Sequence, residues 1–204
     1  MADVKLTKNE LRTQQLKQTQ LKKYLPTLQL KKALLQAEVN QIEAIIVGFT
    51  KELNQKKQLL ETSSRLFCDP EIVGLFDSIE ILEVKKSYEN IAGVECPSLD
   101  DVVFAPRKYT YFDTPLWLDS AVVQVKDMLF AREKIEVAKE KKVALEKELR
   151  DVSIRVNLFE KILIPRTEEN IKKIKVFLGD QQLASVAQAK VAKTKIEKRK
   201  ARDN

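Results

Sequence analysis

The feature that most constrains this chain is a stripe of apolar residues repeating at alternating strides of four and three from Leu21 to Leu60. The positions are Leu21, Leu25, Leu28, Lys32, Leu35, Val39, Ile42, Ile46, Phe49, Leu53, Lys56 and Leu60, and ten of the twelve are apolar. With hydrophobic residues at 44% of the whole, chance would fill about five. Strides of four and three average 3.5 residues per turn, the period of a stripe that follows a partner helix around a left-handed supercoil. A stripe left in water would lose its main driving force, so a second helix is required.

That second helix is legible further on. Leu145, Leu149, Val152, Val156, Phe159 and Leu163 continue the same strides with six apolar residues. Pro165 then interrupts them, and Ile171, Ile174, Phe177 and Leu178 resume in a shifted phase. Ala184, Ala187 and Val191 extend a thinner seam of small residues, and the basic stretch from Lys190 to Asn204 is expected to fray. On the first helix, Thr7-Lys8-Asn9-Glu10 reads as a capping box. Gln14 and Gln18 weaken the outer seam. Pro26 lies inside the pattern, but the heptads resume in phase after it, which predicts a kink and no boundary.

Between the helices the composition changes. Asp69-Pro70 ends the first helix and caps a short new one. The stretches Ile79–Ile91 and Phe104–Phe112 are rich in β-branched and aromatic residues, with Gly93, Pro97 and Pro106 as punctuation, and predict two short strands in a hairpin. Thr114-Pro115 opens the second helix. The expected fold is mainly α: a long antiparallel two-helix coiled coil with a small hairpin and short-helix region between its arms. As segments these are 1–67, 68–114 and 115–204, forming one structural unit. At about 1.5 Å per residue the second helix overhangs the first.

The two interior prolines fix an expected register. Residues level with one another in an antiparallel pair have numbers of constant sum, and 26 and 165 add to 191. Half of that falls within the turn-rich Gly93–Pro97 stretch, and the same sum sets Leu28 near Leu163 and Ile42 near Leu149.

Charge is uneven along the chain. Residues 1–67 carry +6, residues 68–120 carry −7 and residues 121–204 carry +8, for a total of +7. An acidic middle between basic arms points to different contacts at the two ends. Cys68 and Cys96 are isolated and the chain has no histidine, so zinc ligation and histidine-based acid–base catalysis lack obvious groups. No glycine-rich phosphate loop occurs. Carboxylates stand at helical spacing beside lysines, as in Lys142 and Glu146, which marks surface pairing and no paired catalytic acids. No cofactor and no enzymatic activity of its own are expected. No run approaches the roughly 18 apolar residues of a spanning helix, and the start has no apolar signal core, so a cytoplasmic chain held at the membrane through a complex is expected.

Three stretches resemble the D subunit of the V-type and A-type rotary ATPases, in a divergent, bacterial branch. Leu6-Thr7-Lys8-Asn9-Glu10-Leu11-Arg12, followed by Leu30-Lys31-Lys32-Ala33-Leu34-Leu35, is similar to the family's opening P-T-K-x-x-L and later L-L-K-x-K-R. Asn90-Ile91-Ala92-Gly93-Val94-Glu95-Cys96-Pro97 is close to its central N-I-x-G-V-x-V-P. Arg155-Val156-Asn157-Leu158-Phe159-Glu160 with Ile164-Pro165 resembles its C-terminal R-x-N-A-L-E…I-P. The resemblance implies a central rotor shaft that transmits torque between a catalytic ring and a membrane ion-translocating rotor. Its implied partners are the catalytic and regulatory ring subunits, a small central-stalk subunit and the subunit linking to the membrane rotor. With the termini inside the ring, Lys193, Lys195, Lys198, Arg199 and Lys200 are the expected ring contacts. Two rivals share the coiled-coil pattern: a prefoldin-like chaperone, whose helices are shorter, and a basic nucleic-acid-binding rod, which would need stacking aromatics near its charges.

Overall fold

The computed structural model describes residues 4–63, 79–106 and 115–200. Helix α1 runs over Lys8–Ser63, strand β1 over Ile81–Ile91, strand β2 over Val94–Phe104 and helix α2 over Leu116–Leu158. A five-residue π turn, Phe159–Leu163, joins α2 directly to helix α3, Ile164–Lys200. The expected short helix at Asp69-Pro70, the cap at Thr114 and most of the expected strand up to Phe112 lie outside the described residues. The chain forms two compact units: residues up to Leu30 with those from Val152 onward, and Lys31–Asp151.

In the first unit, α1 starts as its capping residue dictates. The Thr7 hydroxyl accepts from the Glu10 backbone N–H at 3.3 Å, and the Thr7 carbonyl accepts from Leu11 N–H at 3.0 Å. The reciprocal half of the box is absent. The Thr7 N–H already donates to the Lys5 carbonyl at 3.0 Å, and the Glu10 carboxylate instead accepts from Gln14 Nε2 at 2.8 Å. Pro26 sits inside α1 without ending it. Gln18 Nε2 and Lys22 Nζ both reach Glu168 Oε1, each at 2.9 Å, so α1 and α3 lie side by side here. Those pairs have residue numbers adding to 186 and 190, within about a turn and a half of the 191 expected from the prolines.

In the second unit, α1 and α2 are joined by Lys31 Nζ to Glu148 Oε1 at 2.7 Å and Lys142 Nζ to Glu43 Oε1 at 2.8 Å. Their numbers add to 179 and 185, so the register departs here from the constant sum expected from the prolines. Long lysine stems reach diagonally and account for part of the offset.

The hairpin differs from expectation in its second strand. The described partner of β1 is Val94–Phe104, which starts immediately after the turn, ahead of the stretch expected from Phe104 onward. Its sequence does not alternate cleanly, because the ladder skips Asp100 where Lys85 pairs Asp101 and Lys86 pairs Leu99, which breaks the period of two. The turn is Ala92-Gly93, with φ of 51° and 87°, the positive pair of a type I′ hairpin turn. The Gly93 N–H donates to Asn90 Oδ1 at 2.9 Å. Pro97 is tolerated within β2 for a geometric reason. Ile91 and Val94 form the hydrogen-bonded pair that closes a two-residue turn, and pairs then alternate, so Pro97 opposite Tyr88 falls on a non-bonded pair where no N–H is needed.

The buried residues of the hairpin lie on β2, at Cys96, Pro97 and Val102, with Ala105 just beyond. β1 is tied to α2 by Lys86 Nζ to Glu140 Oε2 at 2.6 Å and by Lys141 Nζ to Glu89 Oε2 at 3.4 Å. Lys126 lies 5.3 Å from the centre of the Phe104 ring, a cation–π contact between α2 and β2. At the start of α2, Leu118 and Val122 are buried, with Ile79 and Trp117 packed against them.

Candidate functional site

The most distinctive surface lies at the end of α3. Every residue from Asp180 to Arg199 is exposed, a run of 20 positions at which α3 is covered by no other described part of its unit. The stretch is helical through Lys200, and the last four residues of the segment expected to fray, 201–204, lie outside the described residues. Propensity explains this. The segment from Gln181 contains no glycine or proline and is built largely of alanine, glutamine and lysine. Ser185 Oγ donates to the Gln182 carbonyl at 2.8 Å, and Thr194 Oγ1 donates to the Lys190 and Val191 carbonyls at 3.1 and 3.0 Å.

Two chemically different halves follow one another along this helix. Gln181–Ala189 carries no charge and presents small residues with Leu183 and Val186 exposed. Residues 190–200 carry six Lys and Arg against the single Glu197. Lys193 Nζ stands 3.9 Å from Glu197 Oε1 in an exposed pair that contributes little. The seam of small residues expected at Ala184, Ala187 and Val191 has no partner in the described chain, because α1 begins only at Lys8. Lys193, Lys195, Lys198 and Arg199 are all exposed; Lys200 ends the helix.

The seam residues are placed as follows. On α1, Leu35, Val39 and Ile42 are buried, and Leu21, Leu25, Leu28, Ile46, Phe49, Leu53 and Leu60 are half-buried. On the other arm, Leu145, Val152 and Val156 are buried, and Leu149, Phe159 and Leu163 are half-buried. Phe49 also lies under Lys134, whose Nζ is 5.8 Å from its ring centre. Polar groups enter the seam near the outer end. Gln14 and Thr167 are buried, each satisfied by a bond to its own helix, Gln14 to Glu10 and Thr167 Oγ1 to the Ile164 carbonyl at 2.8 Å.

Cys96 is fully buried, a packing role that its isolated place in the sequence does not announce. Burial pushes its thiol above the ordinary range, an effect partly offset by the Lys141 ammonium. The lysine–glutamate ties between hairpin and α2 are also invisible to sequence reasoning, since nothing in spacing pairs residues more than fifty positions apart. Hydrogen bonding to Glu140 holds Lys86 above the usual lysine range, and hydrogen bonding to Glu43 does the same for Lys142. Hydrogen bonding from Lys22 holds Glu168 below the usual carboxylate range. Among the described residues no group of three or more His, Cys, Asp or Glu is arranged to hold a metal ion. None of the helices described there is long and apolar enough to cross a membrane.

The profile of the family described as the ATP synthase D subunit matches residues 10–194. The chain belongs to that family. It is a central-stalk subunit of a rotary ATPase. The V-type ATP synthase D subunit of Chlamydia pneumoniae is 46% identical over 200 residues, covering 98% of this chain and 96% of the relative. The corresponding proteins of Chlamydia trachomatis serovar L2 and Chlamydia felis are 45% and 42% identical, and the alignments cover 98% of this chain and 98% and 96% of those relatives. The chain therefore works as one part of a multi-subunit complex, and neither the chaperone nor the nucleic-acid reading is favoured.

Proposed function

We propose that this chain is the non-catalytic shaft of the rotor, carrying torque between the catalytic ring and the membrane ion-translocating rotor. The observation that carries the reading is the exposed end of α3: 20 successive positions of ordered helix without a partner in their unit. Such a helix has value only if another subunit surrounds it, since exposed leucine and valine gain nothing from water. Its uncharged, small-residue half suits a close-fitting sleeve that it must turn within. Its basic half, with Lys193, Lys195, Lys198, Arg199 and Lys200, suits individually weak, screened contacts to successive ring subunits.

Torque needs a stiff element, and a seam of interdigitated side chains resists shear because packed interiors are nearly incompressible. The hairpin, strapped to α2 by Lys86–Glu140 and Glu89–Lys141, offers a side surface for a small stalk subunit. Membrane attachment then runs through the complex.

The test is to reconstitute the complex with the chain ended after Val191. A shaft predicts assembly with ATP hydrolysis no longer coupled to ion movement, and no hydrolysis by the isolated chain. A truncated chain that supports full coupling would refute the role of the basic end.

A further inference from the structure

The π turn between α2 and α3 has a consequence for every residue after it. Upstream, the inward positions follow uninterrupted strides of four and three to Leu163. Continued without a break, those strides would turn Arg166, Asn170, Lys173 and Phe177 inward. Instead Thr167, Ile171 and Ile174 are buried and Leu178 is half-buried, while Arg166, Lys173 and Phe177 are exposed and Asn170, beside Ile171, is half-buried at the edge of the seam. Each inward position has moved by one residue. On α1 the strides continue unshifted past Pro26, so the extra residue belongs to one arm alone.

The π turn supplies that residue. Its defining bond runs from the Ile164 N–H to the Phe159 carbonyl, five residues back where an α-helix uses four. We infer that this turn is a one-residue register device, held in place by the seam on either side of it, which sets the faces that α3 and its exposed end present. Pro165 marks its position, since a proline gives no N–H to the carbonyl four residues earlier and crowds it. Ile171 and Ile174 hold it there, because without the extra residue they would turn outward and Lys173 would turn in. The turn lies beside an open surface groove lined by Leu21, Tyr24, Phe159, Leu163, Arg166 and Thr167. The register device stands whether or not the chain serves as a shaft.

The test uses the full chain and maleimide labelling of single cysteines introduced as Lys173→Cys or Ile174→Cys, counted above the labelling of the parent. The parent register predicts that the cysteine at 174 labels about tenfold or more slowly than that at 173. Pro165→Ala alone is expected to keep this ratio, because the seam and not the proline holds the turn. Deleting Ile162, an exposed residue of the turn, in the Pro165→Ala background should also keep it, with the turn replaced by plain α-helix. Deleting Lys161 and Ile162 together should abolish it. Loss of protection at 174 in Pro165→Ala, or in the single deletion, would overturn the inference, as would protection surviving the double deletion.

Discussion

Leu34 and Leu35 are chemically identical neighbours on one helix, yet Leu35 is fully buried and Leu34 is 53% exposed. Replacing each by alanine isolates the contribution of the seam from that of helix propensity, which changes equally in both. Leu35→Ala removes three carbons from a dry site, about 0.8 kcal/mol each, or roughly 2.4 kcal/mol before any cavity is counted. Core leucines truncated to alanine lose about 2–5 kcal/mol, the spread reflecting how far the site collapses. A seam between two helices closes more readily than a core enclosed on all sides, so about 2.5–3.5 kcal/mol is expected here. For a chain of this length each kcal/mol lowers the melting temperature by about 2–4 °C, giving a drop of about 5–14 °C for Leu35→Ala. Leu34→Ala should stay within about 0.5 kcal/mol, as exposed substitutions do. Thermal melts of the full-length variants, followed by far-ultraviolet circular dichroism, measure both. Equal shifts for the two would refute the assignment of Leu35 to the seam and Leu34 to the outside.

Three further expectations concern the hairpin and the ion pairs. Ala92 holds a left-handed conformation that costs a non-glycine residue about 1–2 kcal/mol, so Ala92→Asn, matching the preferred Asn-Gly turn, should slow amide exchange along β1 and β2; unchanged or faster exchange would count against it. Glu168 is held below the usual carboxylate range by Lys22 and Gln18, so its contribution is present above the unfolded value and is lost as pH falls through the folded one. Stability of Glu168→Gln should therefore lose less than the parent on acidification below about pH 4. Lys86 is raised through Glu140; that contribution is complete below the unfolded lysine value and is lost as pH rises through the folded one, so Glu140→Gln should flatten the alkaline fall in stability. Both pairs are largely exposed, and added salt should shrink both differences.

How much of this is legible in the sequence depends on whether a signal is local or periodic. The seam is readable because a helix repeats every 3.6 residues, so burial on one side writes itself into spacing: the stride positions from Leu21 to Leu60, the two lysines included, are buried or half-buried. Thr7 as the α1 cap and a turn near Gly93 are readable for the same kind of reason, since a hydroxyl at a helix start and a residue free to adopt positive φ act within a few positions. The second strand is not readable. Its alternation is broken by Asp100, unpaired in the ladder, and by Pro97, whose tolerance depends on a pairing register that only the folded hairpin possesses.

The sequence by itself determined that two heptad-patterned arms must pair, that an acidic, strand-forming segment separates them, and that Pro165 breaks the second pattern. Tertiary structure alone decided how the break is resolved and what is left uncovered. A shifted phase in the sequence is equally compatible with a kink, a domain boundary or an inserted residue, and only packing against α1 selects the π turn that keeps Ile171 and Ile174 inside. Likewise Ala184, Ala187 and Val191 have the spacing of a seam, but a seam exists only where a second helix lies alongside, and the described α1 begins at Lys8. Spacing records the face a helix offers; whether anything is there to meet it is a property of the fold.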